Sequence, residues 1–406
     1  MLRIIGTVTL MVLLTSVTTP AVDEIAYVIN TSGETLSKIN LTTGAVTNDI
    51  LTLGSDVFSF PNQIVVRDTL AYVVASGTNE IQMIDLKNEV TVDFISTGVG
   101  TNPFWLAFFD NQYCYVTNLL ANSVAKVDVV NRTVVDEISV GVSPEGILFA
   151  DFKGYAAITA FDFNTFTYGQ GKVVVFDPRG DSVLSEIKVG TNPQYLARDM
   201  SGRIHVICTG DFFSIFGMVY IIDPNTDAVV DSFAVGGSPG QLTIGPDNIA
   251  YLAAGGWVTD GFMYTYNSAT GQIYHDVTNP LLVDSGCITV VAYQDSTVYE
   301  GNFKDFVEQL DSAGTTLQNY AVGDGPIHLD FNYQPGDYNG DFAVNIADLT
   351  ALVDWLFRGG PPSSYPFWRG NVDGSYQVNV ADITYMVAYL FLSGPRPLVG
   401  PTWIRP

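Results

Sequence analysis

Short runs in which apolar and polar residues alternate fill the chain from residue 24 to residue 333. One unit opens with Val-Gly-Thr-Asn-Pro at 99–103 and continues with four apolar runs that end at residue 138. Gly, Pro, Asn or Asp separates successive runs. Alternation with a period of two between such turn residues predicts β-strands, four of them in this unit.

The same unit recurs, and the polar residue that ends its third strand measures the repeat. These residues are Asn40, Asp85, Asp128, Asp177, Asp223, Asn267 and Asp311. Their spacings of 45, 43, 49, 46, 44 and 44 residues indicate seven units. Units of this length with four short strands are typical of propeller blades. The sequence therefore predicts a mainly β fold, a seven-bladed β-propeller with four-stranded blades.

The two ends of this region predict how the ring closes. Residues 25–30 match a second strand with no inner strand before it, whereas residues 326–331 match an inner strand with nothing after it. We therefore expect the C-terminal inner strand to complete the blade that residues 25–53 begin.

Tyr-Val-Thr-Asn at 115–118, the recurring Val-Gly-x-x-Pro turn and the strand ending in Asp resemble the YVTN-type propeller repeat over residues 24–333. The resemblance implies the propeller fold. The sixth unit departs from it, because Val-Asp-Ser-Gly-Cys at 283–287 replaces the Gly…Pro turn.

The loops between the second and third strands of units four to seven are enlarged and rich in aromatic residues. We expect them on one face of the propeller, where exposed rings supply contact area for a glycan or a peptide. A capping role over neighbouring blades stays open. The residues predicted to bind ligand are Phe161, Phe163, Phe166, Tyr168, Phe212, Phe213, Phe216, Trp257, Phe262 and Phe303.

Beyond Asp330 the pattern changes to two loop–helix units that are offset by 34 residues. Each twelve-residue loop places oxygen-bearing side chains at positions 1, 3, 5, 9 and 12, and position 7 offers a backbone carbonyl. This spacing wraps a chain around Ca²⁺, which seeks six to eight oxygen ligands. The predicted ligands are Asp337, Asn339, Asp341, Ala343, Asn345 and Asp348 in the first loop, and Asn371, Asp373, Ser375, Gln377, Asn379 and Asp382 in the second.

The two units resemble a type I dockerin over residues 336–394. The resemblance implies two calcium sites and a helix face that docks onto a cohesin or another extracellular protein. It places the docking positions at Ile346, Ala347, Val380 and Ala381. Position 6 departs from the usual Gly, since it is Phe342 or Tyr376. The second loop carries two carboxylates against three in the first, so we predict weaker Ca²⁺ binding there.

Charge and the rarer residues narrow the function classes. The net charge of −25 excludes nucleic acid as a partner, because nucleic-acid binding needs clustered Lys and Arg. The three cysteines lie apart in apolar runs and are expected to be buried free thiols. None of His205, His275 and His328 has a carboxylate at a recognisable spacing, which favours structural roles.

Arg3 and the apolar run that follows it predict a secretory signal peptide over residues 1–22. The predicted domains are then the propeller at 23–334, the duplicated loop–helix domain at 335–394 and a tail at 395–406. We expect a secreted protein, extracellular or associated with the cell surface, without a membrane span.

The leading functional prediction is a non-catalytic binding or scaffold protein. Its propeller would recognise a protein or glycan, and its dockerin-like domain would attach it to a partner when Ca²⁺ is bound. Two alternatives stay open: an extracellular enzyme, lactonase-like or acting on polysaccharide, that is carried on a dockerin, and a subunit of an extracellular assembly.

Overall fold

The computed structural model describes residues 24–256, 260–293, 296–302, 304–341, 343–363, 367–375 and 377–399 of the 406-residue chain. Within these ranges the chain forms 31 β-strands, two α-helices and one 3₁₀ turn. The predicted signal peptide lies outside the described residues.

The strands of the first three blades are β1 (Ile25–Asn30), β2 (Thr35–Asn40), β3 (Ala45–Thr52), β4 (Pro61–Arg67), β5 (Leu70–Ala75), β6 (Glu80–Asp85), β7 (Val90–Ser96), β8 (Pro103–Phe108), β9 (Tyr113–Asn118), β10 (Ser123–Asp128) and β11 (Thr133–Ser139). Blades 4 and 5 contain β12 (Pro144–Ala150), β13 (Lys153–Ile158), the hairpin β14 (Phe161–Asp162) and β15 (Thr167–Tyr168), β16 (Lys172–Asp177), β17 (Ser182–Lys188), β18 (Pro193–Arg198), β19 (Ile204–Cys208), β20 (Met218–Asp223) and β21 (Ala228–Ala234). Blades 6 and 7 contain β22 (Leu242–Ile244), β23 (Ile249–Ala253), β24 (Gly261–Asn267), β25 (Ile273–His275), β26 (Leu281–Val283), β27 (Thr289–Ala292), β28 (Val298–Asn302), β29 (Phe306–Leu310) and β30 (Thr316–Ala321). The remaining elements are β31 (Pro326–Phe331), α1 (Ile346–Arg358), the 3₁₀ turn (Phe367–Gly370) and α2 (Val380–Leu392).

Each blade is an antiparallel sheet whose inner strand comes first in the chain, except in blade 1. There β31 pairs with β1, so the sheet order is β3-β2-β1-β31. Val28 faces Leu329 across this pair. Just beyond β31, Asn332 accepts a hydrogen bond from the Ile25 amide at 2.7 Å and donates one to the Ile25 carbonyl at 3.0 Å. The predicted seven blades and the predicted closure by the C-terminal inner strand are confirmed.

The hydrophobic core lies between blades, because each sheet presents alternate side chains to both neighbours. Between blades 2 and 3, for example, Tyr72 packs edge-on against Phe108 at 4.8 Å, beside Cys114 and Val116. Cys114, Cys208 and Cys287 are all buried and unpaired, as predicted.

The propeller has two distinct faces. We call upper the face that carries the loops between second and third strands and the turns leading into the inner strands. The lower face carries the other turns and the point at which β31 leaves the ring, after Phe331.

Aromatic side chains fill the propeller axis. The Trp105 ring lies 4.9 Å from the ring of His328 and 5.0 Å from that of Tyr195, edge-on to both.

Gly146 lies on β12, the inner strand of blade 4. A Cβ at this position would lie 2.5 Å from the backbone oxygen of Gln194 on β18, the inner strand of blade 5. Glycine is therefore required for the close approach of the inner strands of blades 4 and 5.

The two loop–helix units pack together into what we call the C-terminal module, residues 336–394. Its core contains Val344, Leu352, Val372, Met386 and Leu390. Neither of its helices, at 13 residues each, has the length or apolar character needed to cross a membrane, and the same holds for every helix in the described ranges.

The C-terminal module contacts the lower face of the propeller. Arg396, just beyond it, forms an ion pair with Asp68 of blade 2 at 2.8 Å. A Cβ at Gly374 would lie 2.9 Å from Nδ2 of Asn111 in blade 3. The described part of the tail follows the module, since the Leu398 amide donates to the Val372 carbonyl at 2.9 Å. The module is therefore held against the ring at several points.

Candidate functional site

Three carboxylates converge in the first loop of the C-terminal module. Asp337, Asp341 and Asp348 each offer an oxygen, and these oxygens lie within 4.8 Å of one another. Asp337 and Asp348 are buried, whereas Asp341 is exposed. Hard oxygen donors grouped at this distance are the kind of set that Ca²⁺ binds.

Local hydrogen bonds explain why the first loop adopts this shape. The amides of Gly340 and Asp341 donate to Asp337 Oδ1 at 2.9 and 3.0 Å, and Gly340 takes a left-handed φ of 78°. Asn345 caps α1, and Asp348 Oδ2 accepts from the Asn345 amide at 2.8 Å, which forms a capping box. The glycine that makes the turn stands at position 4, and position 6, Phe342, lies outside the described residues.

The second loop repeats the arrangement with fewer charges. Asp382 accepts from the amides of Val372 and Asn379 at 2.9 and 2.7 Å, and Asn379 caps α2. Asn371 at position 1 is fully buried, and its Oδ1 has no hydrogen-bond partner. A buried acceptor without a partner is costly, and a cation in the loop would satisfy it. The residues present therefore fit a bound cation in this loop also.

Burial and like charges act on the last carboxylate of each loop. Burial, with added repulsion from Asp337 and Asp341, raises the pKa of Asp348 to about 6. Burial, with added repulsion from Asp373, raises the pKa of Asp382 to about 6. A divalent cation favours the ionised form of the carboxylates around it and removes this repulsion.

Arg369 is a residue of this site that the sequence analysis does not identify. Its guanidinium lies 3.2 Å from Asp337 Oδ2, and both side chains are fully buried. It also stacks over the Tyr333 ring, 5.0 Å from the centroid. Arg369 thus links the first loop to the segment that leaves the propeller. Because the guanidinium comes from the other loop–helix unit, 32 residues away in the chain, loop spacing carries no signal for it.

The predicted docking residues lie on the surface of the C-terminal module. Ile346 and Ala347 are exposed at the start of α1, and Val380 and Ala381 are exposed at the matching positions of α2. Each helix therefore exposes a pair of apolar residues to solvent at the same position in its first turn.

The predicted ligand-binding aromatics divide into three groups. Those whose rings are exposed on the upper face are Phe163, Phe166, Phe212, Phe213 and Phe216. Phe161 and Tyr168 are half-buried together, with ring centroids 4.9 Å apart, and Phe262 packs against the core between blades 5 and 6. Trp257 and Phe303 lie outside the described residues. Exposed rings thus concentrate in blades 4 and 5.

A cavity of about 500 Å³ opens beside these rings, between blades 3 and 4. Its apolar lining includes Leu120, Val142, Phe161 and Phe163, and Asp162 is the carboxylate in it. A second cavity of about 490 Å³ lies at the lower face, where Tyr27, Tyr333 and Arg396 are among the lining residues. The upper cavity therefore combines two residues predicted to bind ligand, Phe161 and Phe163, with residues that the sequence analysis does not select, such as Leu120 and Val142.

Further apolar side chains extend the upper face into blades 2 and 3. They are Val57, Phe58, Phe60, Val99 and Leu120. Phe58 and Phe60 hold left-handed φ angles of 60° and 43°. The signal for them in the sequence is the long turn from Gly54 to Pro61, which replaces the short turn of the other blades.

His205 has a carboxylate neighbour that its spacing in the sequence does not indicate. Asp199 Oδ2 lies 3.2 Å from the Nε2 of His205. Its Nδ1 is 2.8 Å from the Tyr266 hydroxyl, and the ring is fully buried. The fold brings Asp199 close because β18 and β19 form a hairpin.

A buried carboxyl pair lies inside blade 7. Glu300 and Glu308 face each other across β28 and β29 and share a hydrogen bond. Burial, followed by the Glu308 charge, raises the pKa of Glu300 well above its usual range. Neither residue lines the two cavities described above.

No protein-family model and no curated protein matches the chain. Solved structures do match it. Hydrazine synthase from Kuenenia stuttgartiensis is similar over 68% of this chain and 91% of its own, with a TM-score of 0.57 and 16% identity. A proposed 6-phosphogluconolactonase from Bacteroides uniformis is similar over 76% of this chain and 99% of its own, with a TM-score of 0.58 and 12% identity. Identities this low show the fold alone, and the chain contains a seven-bladed β-propeller.

Proposed function

We propose that this chain is a secreted binding protein whose propeller recognises a protein or glycan and whose C-terminal module is a calcium-dependent docking unit. The convergence of Asp337, Asp341 and Asp348 within 4.8 Å carries the proposal. These residues stand at positions 1, 5 and 12 of a loop whose counterpart lies 34 residues later.

Calcium would hold the loops in shape. When bound, Ca²⁺ supplies a positive charge that joins the carboxylates of each loop. The protein's own groups preset the loop, because the capping boxes at Asn345 and Asn379 fix Asp348 and Asp382 at the helix starts. The exposed pairs Ile346–Ala347 and Val380–Ala381 follow directly after these caps. Loop order is therefore coupled to the geometry of the docking face.

Calcium is expected to stabilise the protein against unfolding. With free Ca²⁺ at a hundredfold excess over the dissociation constant, one site contributes about 2.7 kcal/mol. Calorimetric titration of the full chain should resolve two sites, the stronger one lost in Asp341→Asn, since affinity follows ligand charge. Asp136→Asn, an exposed carboxylate on β11, is the control. Two equal sites, or no heat of binding, would contradict the assignment.

Docking is tested with the same protein. Immobilised cohesin domains should retain the full chain in Ca²⁺ and release it in chelator. A double variant, Ala347→Arg with Ala381→Arg, should abolish retention while both calcium sites still titrate, because the substituted side chains are exposed and supply no calcium ligand. Retention that is independent of Ca²⁺, or unaffected by the double variant, would rule out docking through these helices.

The upper face is the proposed recognition surface of the propeller. Phe166 and Phe213 are 77% and 88% exposed there, and the Phe166 ring lies 6.2 Å from the ring of Phe161, which lines the cavity between blades 3 and 4. Large exposed rings at loop tips are typical of contact residues.

Substituting these rings should remove binding without affecting the fold. On glycan and peptide arrays, the double variant Phe166→Ser with Phe213→Ser should lose about 1–2 kcal/mol or more of affinity, since anchor rings carry much of an interface. Val135→Ser with Val183→Ser, on exposed outer strands, is the control. Equal array binding by both double variants would exclude the upper face.

A further inference from the structure

We call the upper mouth of the axis, where the inner strands begin, the cup. A proline begins the inner strands of blades 1 to 5, and in blade 6 Pro239 lies three residues before β22. We call the residue after each of these prolines a rim residue. The rim residues are Asn62, Phe104, Glu145, Gln194, Gly240 and Ile327. Trp105 and Tyr195 form the floor, with their rings in contact at 5.0 Å. Of these rim residues, only Glu145 has an ionisable side chain.

The Glu145 carboxyl is held in place but incompletely satisfied. The side chain is 9% exposed, and its Oε2 has no hydrogen-bond partner. Gln194 provides a hydrogen bond to the carboxyl. Gln194 is itself fixed by the Thr209 hydroxyl, which donates to its Oε1 at 2.7 Å and also contacts the Pro239 carbonyl. The arrangement presents a buried acceptor that water reaches poorly.

The charges around Glu145 make a bound cation favourable. Within the described residues, the negative charge of Glu145 affects the pKa of two side chains. They are Tyr168 of the blade 4 loop and Tyr195 of the floor. Burial, followed by the Glu145 charge, raises the pKa of both phenols, so they are neutral near pH 7. Within the described residues no basic side chain contributes to the pKa of Glu145. A buried carboxylate without a cation is costly, and one that gains a cation is stabilised.

We propose that this cup binds a cationic group, the lysine or arginine side chain of a bound peptide or protein. The proposal rests on the recognition role of the upper face and deepens it, because it selects a protein ligand over a neutral glycan. Aromatic rings next to a carboxylate suit a guanidinium or ammonium group, which contacts both. The partner would carry apolar residues around the basic one, to match the exposed rings outside the cup.

Two features connect the cup to the rest of this face. Tyr168 contacts Phe161, which lines the cavity between blades 3 and 4, at 4.9 Å. The net charge of −25 attracts cationic ligands over a longer range. A single extended segment could therefore place its basic side chain over the axis and its apolar residues toward blades 4 and 5.

The test uses the full chain and a pair of matched small probes. N-acetyl-L-arginine amide carries the guanidinium, and N-acetyl-L-citrulline amide has nearly the same shape without charge. Titration followed by NMR or calorimetry should detect the first with a dissociation constant on the order of 1 mM and the second at least tenfold more weakly. Glu145→Gln should remove this difference, whereas Glu137→Gln on the outer strand of blade 3 should preserve it. Binding of the arginine probe should strengthen from pH 6 to pH 8, because the bound form needs the ionised carboxyl.

The outcomes separate this inference from the proposed function. Equal binding of the two probes, or no change in Glu145→Gln, would overturn the cation site. If the arrays then still show binding that is lost in the Phe166 and Phe213 double variant, the recognition role of the upper face is supported and cation binding in the cup is not. If the arginine probe binds through Glu145 but the arrays show no ligand, cation binding in the cup is supported and the recognition role of the wider face is contradicted.

Discussion

Replacing Phe331 by Ala is expected to lower the free energy of unfolding of the propeller by about 3–5 kcal/mol. Phe331 ends the closing strand β31 and is fully buried. Its ring lies 4.3 Å from the ring of Tyr293 and 5.2 Å from that of Tyr299, in the core between blades 7 and 1. The substitution therefore opens a cavity beside blade 1, where the two ends of the propeller sequence share a sheet.

Denaturant unfolding in saturating Ca²⁺, followed by near-ultraviolet circular dichroism, measures this effect. Leu329→Ala in the same strand should cost about 2–5 kcal/mol, since its side chain is also buried. Phe213→Ala, whose ring is 88% exposed, is the matched control and should change stability by about 0.5 kcal/mol or less. If Phe331→Ala were as mild as Phe213→Ala, β31 would not be needed to hold the ring.

Replacing Glu145 by Gln is expected to stabilise the protein at alkaline pH. Burial raises the pKa of Glu145 from an ordinary 4.5 to about 8. Relative to wild type, the variant should gain about 4 kcal/mol between pH 5 and pH 9. The estimate multiplies the part of the pKa shift that lies within this pH interval by the free energy that corresponds to one pKa unit.

The sign of the effect follows from proton binding. Between pH 4.5 and pH 8 the folded protein holds a proton on Glu145 that the unfolded chain has lost. Its contribution to stability is therefore complete below about pH 4.5 and is lost as the pH rises through 8. Gln is uncharged at every pH, so the variant does not undergo this loss.

Unfolding curves at pH 5, 7 and 9 test the prediction. Asp136→Asn removes a solvated carboxylate from β11 and should follow wild type at all three values. A Glu145→Gln variant that loses stability with pH in parallel with wild type would show that Glu145 ionises freely in the folded state.

The architecture could be predicted from the sequence because it depends on local, repeated signals. Each blade carries its own strands and turns, so seven polar anchors from Asn40 to Asp311 are sufficient to count them. The closure by β31 could be inferred from the order of strand types alone. The convergence of Asp337, Asp341 and Asp348 also follows from spacing within one loop.

What the sequence could not reveal depends on contacts between distant segments. Glu145 is distinctive only because Gln194 and Tyr195 of β18 and Trp105 of β8 come together with it around the axis. Arg369 likewise reaches Asp337 from 32 residues away. Local periodicity contains no information on such pairs. Phe58 and Phe60 differ from these pairs, because the sequence does carry a signal for them in the long turn that departs from the repeat.

The seam between β1 and β31 has a mechanical consequence. The chain passes from β31 into the C-terminal module at the lower face, so tension that has released the module's contacts with the ring is applied to the end of that strand. A pull along β31 loads its ladder to β1 in shear, from Phe331 opposite Ala26 to Pro326 opposite Asn30, and the bonds must break together. The two bonds between Asn332 and Ile25 lie just beyond this ladder, at the end where the load is applied. A protein tethered by its module would thus carry the load on the whole β1–β31 ladder, the pair of strands that closes the ring.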